Sequence, residues 1–239
     1  MPQWRFFLSV LLPFAAGYYL SYLFRTINAL ISSDLAAELE LSAADLGFLT
    51  SIYFLTFAAA QLPLGAMLDR YGPRAMQSVL LLIASAGALV FALADDLFGL
   101  LIGRALLGIG VSLALMAGFK AIVLFLPPQR LAISNGWLVM LGALGAVTAT
   151  APAEMVVQGI GWRGLFAVLA SLAAAAALII LLVVPEPPAW ARRSETMTAR
   201  LWDVYRDRRF WRIAPLSAIG VGTSWSLQGL WASPWLRDV

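Results

Sequence analysis

Polar residues in this chain are gathered into a few short stretches, and long apolar runs lie between them. These runs predict seven membrane-spanning helices, over residues 6–31, 46–67, 75–94, 98–126, 133–158, 165–184 and 211–235. A helix needs about 20 mostly apolar residues to cross the hydrocarbon core of a bilayer, and each run supplies them. None of the runs alternates apolar and polar residues as a membrane barrel strand does, and within lipid only helices and closed barrels satisfy every backbone polar group. The first run is too long for the core of a signal peptide, and no small-residue cleavage pattern follows it, so it reads as a retained helix.

The runs also set the expected organisation. Pro185-Glu186-Pro187-Pro188 closes the sixth run, because proline ends helices, and an arginine-rich polar stretch follows. The expected fold class is therefore all-α: a polytopic membrane protein with a six-helix bundle over residues 1–185. A cytoplasmic linker over 186–210 follows, with a short amphipathic helix expected around Leu201–Tyr205. Residues 211–239 hold a seventh helix.

Composition sharpens this picture. Of 239 residues, 62% are hydrophobic and 12% charged, against roughly 45–50% and 25% in ordinary globular domains. Too little polar surface is present to cover a water-soluble body. Cysteine and histidine are both absent, which removes disulfides, thiol nucleophiles, the commonest general base and the usual zinc ligands. The chain is read as a non-enzyme, and neither a cofactor nor a metal is implied. The net charge of +3 does not signal nucleic acid, since no basic-aromatic patch or binding motif accompanies it. Its arginines are topology signals. With the N-terminus inside, Arg5, Arg70, Arg74, Arg130 and the linker arginines all fall on the cytoplasmic side. Asp34, Glu38, Glu40, Asp45, Asp95 and Asp96 then fall outside, with Arg163 the one clear cation among them.

Four short motifs recur at the ends of the runs. The turn between the second and third reads Gly65-Ala66-Met67-Leu68-Asp69-Arg70-Tyr71-Gly72-Pro73-Arg74. Here Gly65 would let another helix approach closely, Asp69 could cap a helix and pair with arginine, and Gly72 suits a tight turn. Arg104-Ala105-Leu106-Leu107-Gly108-Ile109-Gly110 opens the fourth run, Leu126-Pro127-Pro128-Gln129-Arg130 follows it, and Gly161-Trp162-Arg163 precedes the sixth. In this order the motifs resemble those of the major facilitator superfamily, with Pro73 standing where the family usually has an arginine. The resemblance implies a bacterial inner-membrane transporter of twelve helices in two six-helix halves. The chain would be one half, the linker and the first helix of the other half, lacking the rest of its C-terminal half as a partner.

Few ionisable or polar groups lie inside the runs, and each marks a candidate site. Tyr18, Tyr22 and Arg25 fall at i, i+4 and i+7 on one face of the first helix. They read either as an anion-binding stripe or as an interfacial anchor with an aromatic belt. The segment from Gly17 to Arg25 resembles the first helix of organophosphate–phosphate antiporters, in which a matching arginine contacts substrate. Gln61 stands where those antiporters carry a lysine, so a less charged anion is expected. Tyr53, Phe57 and Gln61 form a second stripe, read as substrate-lining or as ordinary packing. Arg104 and Lys120 are separated by about 24 Å of helix and cannot share one small site. Arg104 and Glu154 are expected at similar depth, either as an ion pair or as two solvated interfacial groups. On the seventh helix Gln228 shares a face with Trp231 and Trp235 and could hydrogen-bond a substrate. With the resemblance, these residues imply a secondary transporter that moves a small, anionic organic solute across the lipid bilayer by alternating access. The alternative is a non-transporting membrane scaffold made of one half-transporter.

Overall fold

The computed structural model describes residues 3–186 and 206–226. The chain divides into two compact units, Met1–Arg192 and Arg193–Val239. Within the first, α1 is the continuous helix Trp4–Leu39. Its π-helical turn at Phe7–Leu11 ends two residues before Pro13 and includes Ser9, four residues back from the proline. Proline lacks an N–H and its ring crowds the carbonyl four residues back, and a wider turn accommodates that. α1 ends at Glu40 in the left-handed conformation, and Ser42 with Asp45 forms a capping box that starts the next helix.

That next helix runs from Ala43 to Ala92, 50 residues, about 75 Å at helical rise and far more than one crossing requires. Gly72 divides it. Its φ of 81° and ψ of 164° are open to glycine and costly for any residue with a Cβ. The two arms, residues 43–71 and 73–92, are α2 and α3. Asp96 caps the start of α4, Leu97–Phe125, through its carboxylate and the Gly99 N–H at 2.8 Å. α5 spans Pro128–Thr148 and α6 spans Ala151–Val183.

The fifth expected span ran to residue 158, but α5 stops ten residues earlier. Pro152, at the start of α6, cannot donate back into a preceding helix, and Thr150 has left helical geometry at φ −98° and ψ −126°. Alanine, threonine and valine on both sides of this break make it invisible to hydropathy. At Gly161, with φ 72° and ψ 170°, α6 is divided much as the 43–92 helix is at Gly72: residues 151–160 form a short arm within the expected fifth span, and residues 162–183 form the long arm that carries the sixth.

Five helices of the described residues are long and apolar enough to cross a membrane, and the division at Gly72 gives six crossing segments. α3 and α4 pack backbone to backbone, since a Cβ on Gly103 would lie 2.8 Å from the Phe91 nitrogen. α3 and the long arm of α6 run antiparallel: Ser85 donates to the Ala170 carbonyl at 2.8 Å, and Arg74, farther toward the Asp69 end, reaches Leu181. Phe24, Phe91 and Phe166 fill the centre, with the Phe91 and Phe166 rings 4.4 Å apart. Leu178, Ile179, Leu181 and Leu182 face outward from α6, as befits a surface solvated by lipid.

In the second unit, α7 spans Arg208–Ser226. Gln228, Trp231, Trp235 and the Leu201–Tyr205 stretch lie outside the described residues.

Candidate functional site

The centre of the first unit holds two buried arginines. Arg25 on α1 is 7% exposed, and its guanidinium lies over the Tyr22 ring, 4.4 Å from the centroid. Tyr22 in turn meets Tyr18 edge to face at 5.0 Å. The i, i+4, i+7 face is therefore assembled as its spacing predicts, with the cation on a ring face rather than above the hydroxyls. Two glycines of α5 make room for it: a Cβ on Gly142 would overlap the Tyr18 ring, and one on Gly145 would overlap the Tyr19 carbonyl.

Arg104 on α4 is 1% exposed. It donates to the Phe24 carbonyl at 3.2 Å and to the side-chain oxygen of Asn28, and its guanidinium lies 4.8 Å from the Phe91 ring centroid. Asn28 passes the network on to Thr50 of α2, donating at 2.8 Å. One guanidinium thus links α4, α1 and α2. Neither expectation for Arg104 holds. It is not at a solvated interface, and no ion pair joins it to Glu154 among the described residues. Glu154 is exposed in the first turn of α6 because α5 ends before reaching it. Asn28, a lone amide in an apolar helix three residues after Arg25, is the residue sequence reasoning passed over.

The motif that contains Arg104 also explains Gly108. One turn further along α4, a Cβ at Gly108 would overlap the Thr56 hydroxyl and the Tyr53 carbonyl of α2. The glycine brings α2 close, and the arginine reaches across to α1. Tyr53 is 2% exposed and stacks on Phe57, centroids 6.1 Å apart. Its hydroxyl and the Arg104 Nε are buried without hydrogen-bond partners among the described residues. Gln61, the third member of that stripe, is half-buried and makes no hydrogen bond among the described residues.

Charged motif residues gather at the two ends instead. At one end, Asp69 accepts from Lys120 at 2.6 Å, where arginine was expected, and the same Nζ reaches the Leu68 carbonyl at 3.0 Å. Arg74 donates to the Leu181 carbonyl and pairs with Glu186 at 3.6 Å, while Arg70 is exposed over Tyr71. A Cβ on Gly65 would meet nothing within 4 Å among the described residues, so none of them makes the close approach expected there. At the other end, Arg163 donates to Glu38 at 2.9 Å and to the carbonyls of Ala92 and Ala94 at 3.0 and 2.6 Å. Trp162 donates to the second oxygen of Glu38 at 2.6 Å.

Comparison with known proteins agrees with this architecture. The Major Facilitator Superfamily sequence model matches residues 14–238. A probable sulfoacetate transporter of Cupriavidus necator, SauU, is 26% identical over 65% of this chain and 36% of its own length. The nitrate/nitrite transporter NrtP of a Picosynechococcus species is 25% identical over 82% of this chain and 43% of its own. A bacterial homolog of the human lysosomal transporter Spinster, solved inward-facing and occupied, superposes with a TM-score of 0.65 at 25% identity, over 74% of this chain and 44% of its own. The chain thus spans less than half the length of these relatives. It belongs to the Major Facilitator Superfamily.

Proposed function

We propose that this chain is the first half of a secondary active transporter that moves a small organic anion by alternating access, with Arg25 holding the anion. The supporting observation is the placement of Arg25: a guanidinium deep in a membrane bundle, oriented by the Tyr22 ring. A buried guanidinium is costly in a bilayer, and an anion that accepts its N–H groups offsets that cost through charge-assisted, planar hydrogen bonds. Sulfoacetate and nitrate, named for two relatives, are anions of this kind. The arginine asymmetry of the loops supports a bacterial cytoplasmic membrane with the N-terminus and the α2–α3 turn inside.

Calorimetric titration of the purified transporter with sulfoacetate and nitrate tests the reading. Arg25→Ala is expected to weaken binding at least about tenfold while the protein still inserts and folds. Arg25→Lys keeps the charge but loses the fork and should recover only part of the affinity. Equal affinity in Arg25→Ala and parent would make Arg25 a structural anchor and overturn the reading.

A further inference from the structure

α4 is interrupted near its middle. Regular helix runs to Val111 and resumes at Ala114, with Leu113 at φ −99° and ψ 2° between them. No proline lies in α4, and the cause is local hydroxyl chemistry. The Ser112 N–H and the Ser112 hydroxyl both donate to the Ile109 carbonyl, at 3.2 and 2.8 Å, three residues back instead of four. Ser21 of α1 donates to the Val111 carbonyl at 3.4 Å. A serine that bonds back to the preceding turn competes with the helix ladder, and a side chain inserted into that ladder bends the helix.

The two arms of α4 are held differently. The Arg104 arm, residues 97–111, meets backbone on both neighbours. A Cβ on Gly103 or Gly110 would collide with the α3 backbone at Phe91 or Ala84, and one on Gly108 with the Tyr53 carbonyl of α2. The Lys120 arm, Ala114–Phe125, meets the tip of the Leu138 side chain at Gly118, which can yield. Its polar hold on α2 is the Lys120 Nζ, bonded to Asp69 and to the Leu68 carbonyl.

A swing between the arms uncovers backbone N–H and carbonyl groups around Ser112, and away from water each of them needs a partner. Gln77 of α3 has that capacity. Gly17, one turn before Ser21 on α1, makes room for it: a Cβ there would lie 2.6 Å from the Gln77 Nε2. α3 and α4 run antiparallel, so two turns along both from the Gly110–Ala84 contact Gln77 comes level with Ala117, in the first turn of the Lys120 arm. Gln77 is fully buried, and its Nε2 and Oε1 have no hydrogen-bond partner among the described residues. A buried amide with a spare donor and a spare acceptor is costly as it stands and stabilises a backbone that opens beside it.

We infer that the Lys120 arm of α4 is a hinged arm. It swings about Ser112–Leu113, is latched by Lys120 on Asp69 and Leu68, and in its second position hydrogen-bonds Gln77. Residue 123 lies about 15 Å beyond the hinge, so a bend of about 20° moves it by about 5 Å. The Arg104 arm stays in place, which lets the Asp69 end change shape while the buried centre does not. The inference is independent of the Arg25 reading.

The chain has no cysteine, so introduced cysteine pairs carry spin labels without background. Pulsed electron spin resonance on the purified protein in lipid nanodiscs, with no anion added, reads two exposed pairs. Val123→Cys with Leu182→Cys spans the hinge, and Ile102→Cys with Leu172→Cys reports on the Arg104 arm. The 123–182 pair is expected in two populations about 5 Å apart, and the 102–172 pair in one. Lys120→Met should raise the second population about twofold or more, and Gln77→Leu should lower it by a similar factor. Ser21→Ala combined with Ser112→Ala restores the ladder and should leave only the first population. Ser112→Ala alone supplies a milder test should the double variant fail to insert, with a smaller shift in the same direction. A single 123–182 population in both parent and Lys120→Met would overturn the inference. So would populations that the serine variants or Gln77→Leu leave unchanged, or equal movement in the 102–172 pair.

Discussion

Arg104 and Arg163 are the same residue type in the same six-helix unit, and the protein satisfies them by opposite means. Arg163 sits at the Glu38 end, half-buried, against Glu38 and Asp95 and the last carbonyls of α3. Its charge is matched by carboxylates and by the negative end of a helix dipole. Arg104 lies in the centre against ring faces, an amide and a backbone carbonyl. No carboxylate pairs with it among the described residues. The ends are locally neutralised clamps, whereas the centre keeps positive charge among polarizable but neutral partners. That is a sensible division for a bundle that holds its shape at the ends.

The contrast is broken most directly at the centre. Arg104→Ala removes a charge-assisted hydrogen bond, leaves the Asn28 oxygen buried without its donor and opens a cavity beneath Phe91. We expect a loss of about 3 kcal/mol or more, read as a shift of the denaturant midpoint in detergent. Arg104→Met refills the volume without the donors. It should recover about half, because buried ionic groups can often be replaced by apolar ones of the same size. Full recovery in Arg104→Met would show that packing alone matters at this position.

Gly108 probes the same centre through backbone distance. Gly108→Val places a branched side chain against Thr56 and the Tyr53 carbonyl, where nothing flexible can yield. Overpacking of this kind costs about 2–3 kcal/mol. The matched control is Gly65→Ala in the Asp69-end motif. That Cβ enters open space, so stability should stay within about 0.5 kcal/mol of the parent or rise slightly through helix propensity. An equal loss at both glycines would refute the idea that only one of them sets a helix approach.

These residues also show how much the sequence discloses and where it stops. The crossing segments are legible because lipid leaves the backbone no option but helix, and Gly72 is legible because it stands between two apolar runs. The Tyr18, Tyr22, Arg25 face is legible because i, i+4, i+7 geometry is local to one helix. Pairings between helices are not, since they depend on rotation and on where each helix ends. Arg104 and Glu154 lie near one depth on paper. The hidden break between Thr148 and Ala151 sets Glu154 on the short arm before Gly161, and α4 turns Arg104 toward Asn28. Lys120 meets Asp69 because α2 ends within its reach, a pairing that position along α4 alone does not disclose.

At the Glu38 end the effect should be smaller. Arg163→Gln loses Glu38 and Asp95 but keeps one donor for the Ala92 and Ala94 carbonyls. An expected loss of about 1 kcal/mol reflects partly exposed charges plus helix-end hydrogen bonds. Trp162→Phe keeps the ring against Phe91 and removes only the donor to Glu38, and should cost less still. If Arg163→Gln cost as much as Arg104→Ala, the ends would be as tightly determined as the core and the division would fail.

The smallest effect belongs to Asp69. Its carboxylate is largely exposed, and the Lys120 Nζ that it faces also holds the Leu68 carbonyl. Asp69→Asn keeps the side chain's shape and an acceptor, so Lys120 can stay in place with one fewer charge opposite it. Exposed pairs contribute about 0–1 kcal/mol, and the change in midpoint should sit near the lower end of that range. It should also shrink as ionic strength rises, because such pairs are screened over roughly 10 Å at 0.1 M salt. Lys120→Met removes the helix-end contact as well, so it should exceed Asp69→Asn and depend less on salt. A large, salt-independent loss in Asp69→Asn would mean that this carboxylate is held as tightly as the buried centre, and the contrast between end and core would then have to be redrawn around Asp69.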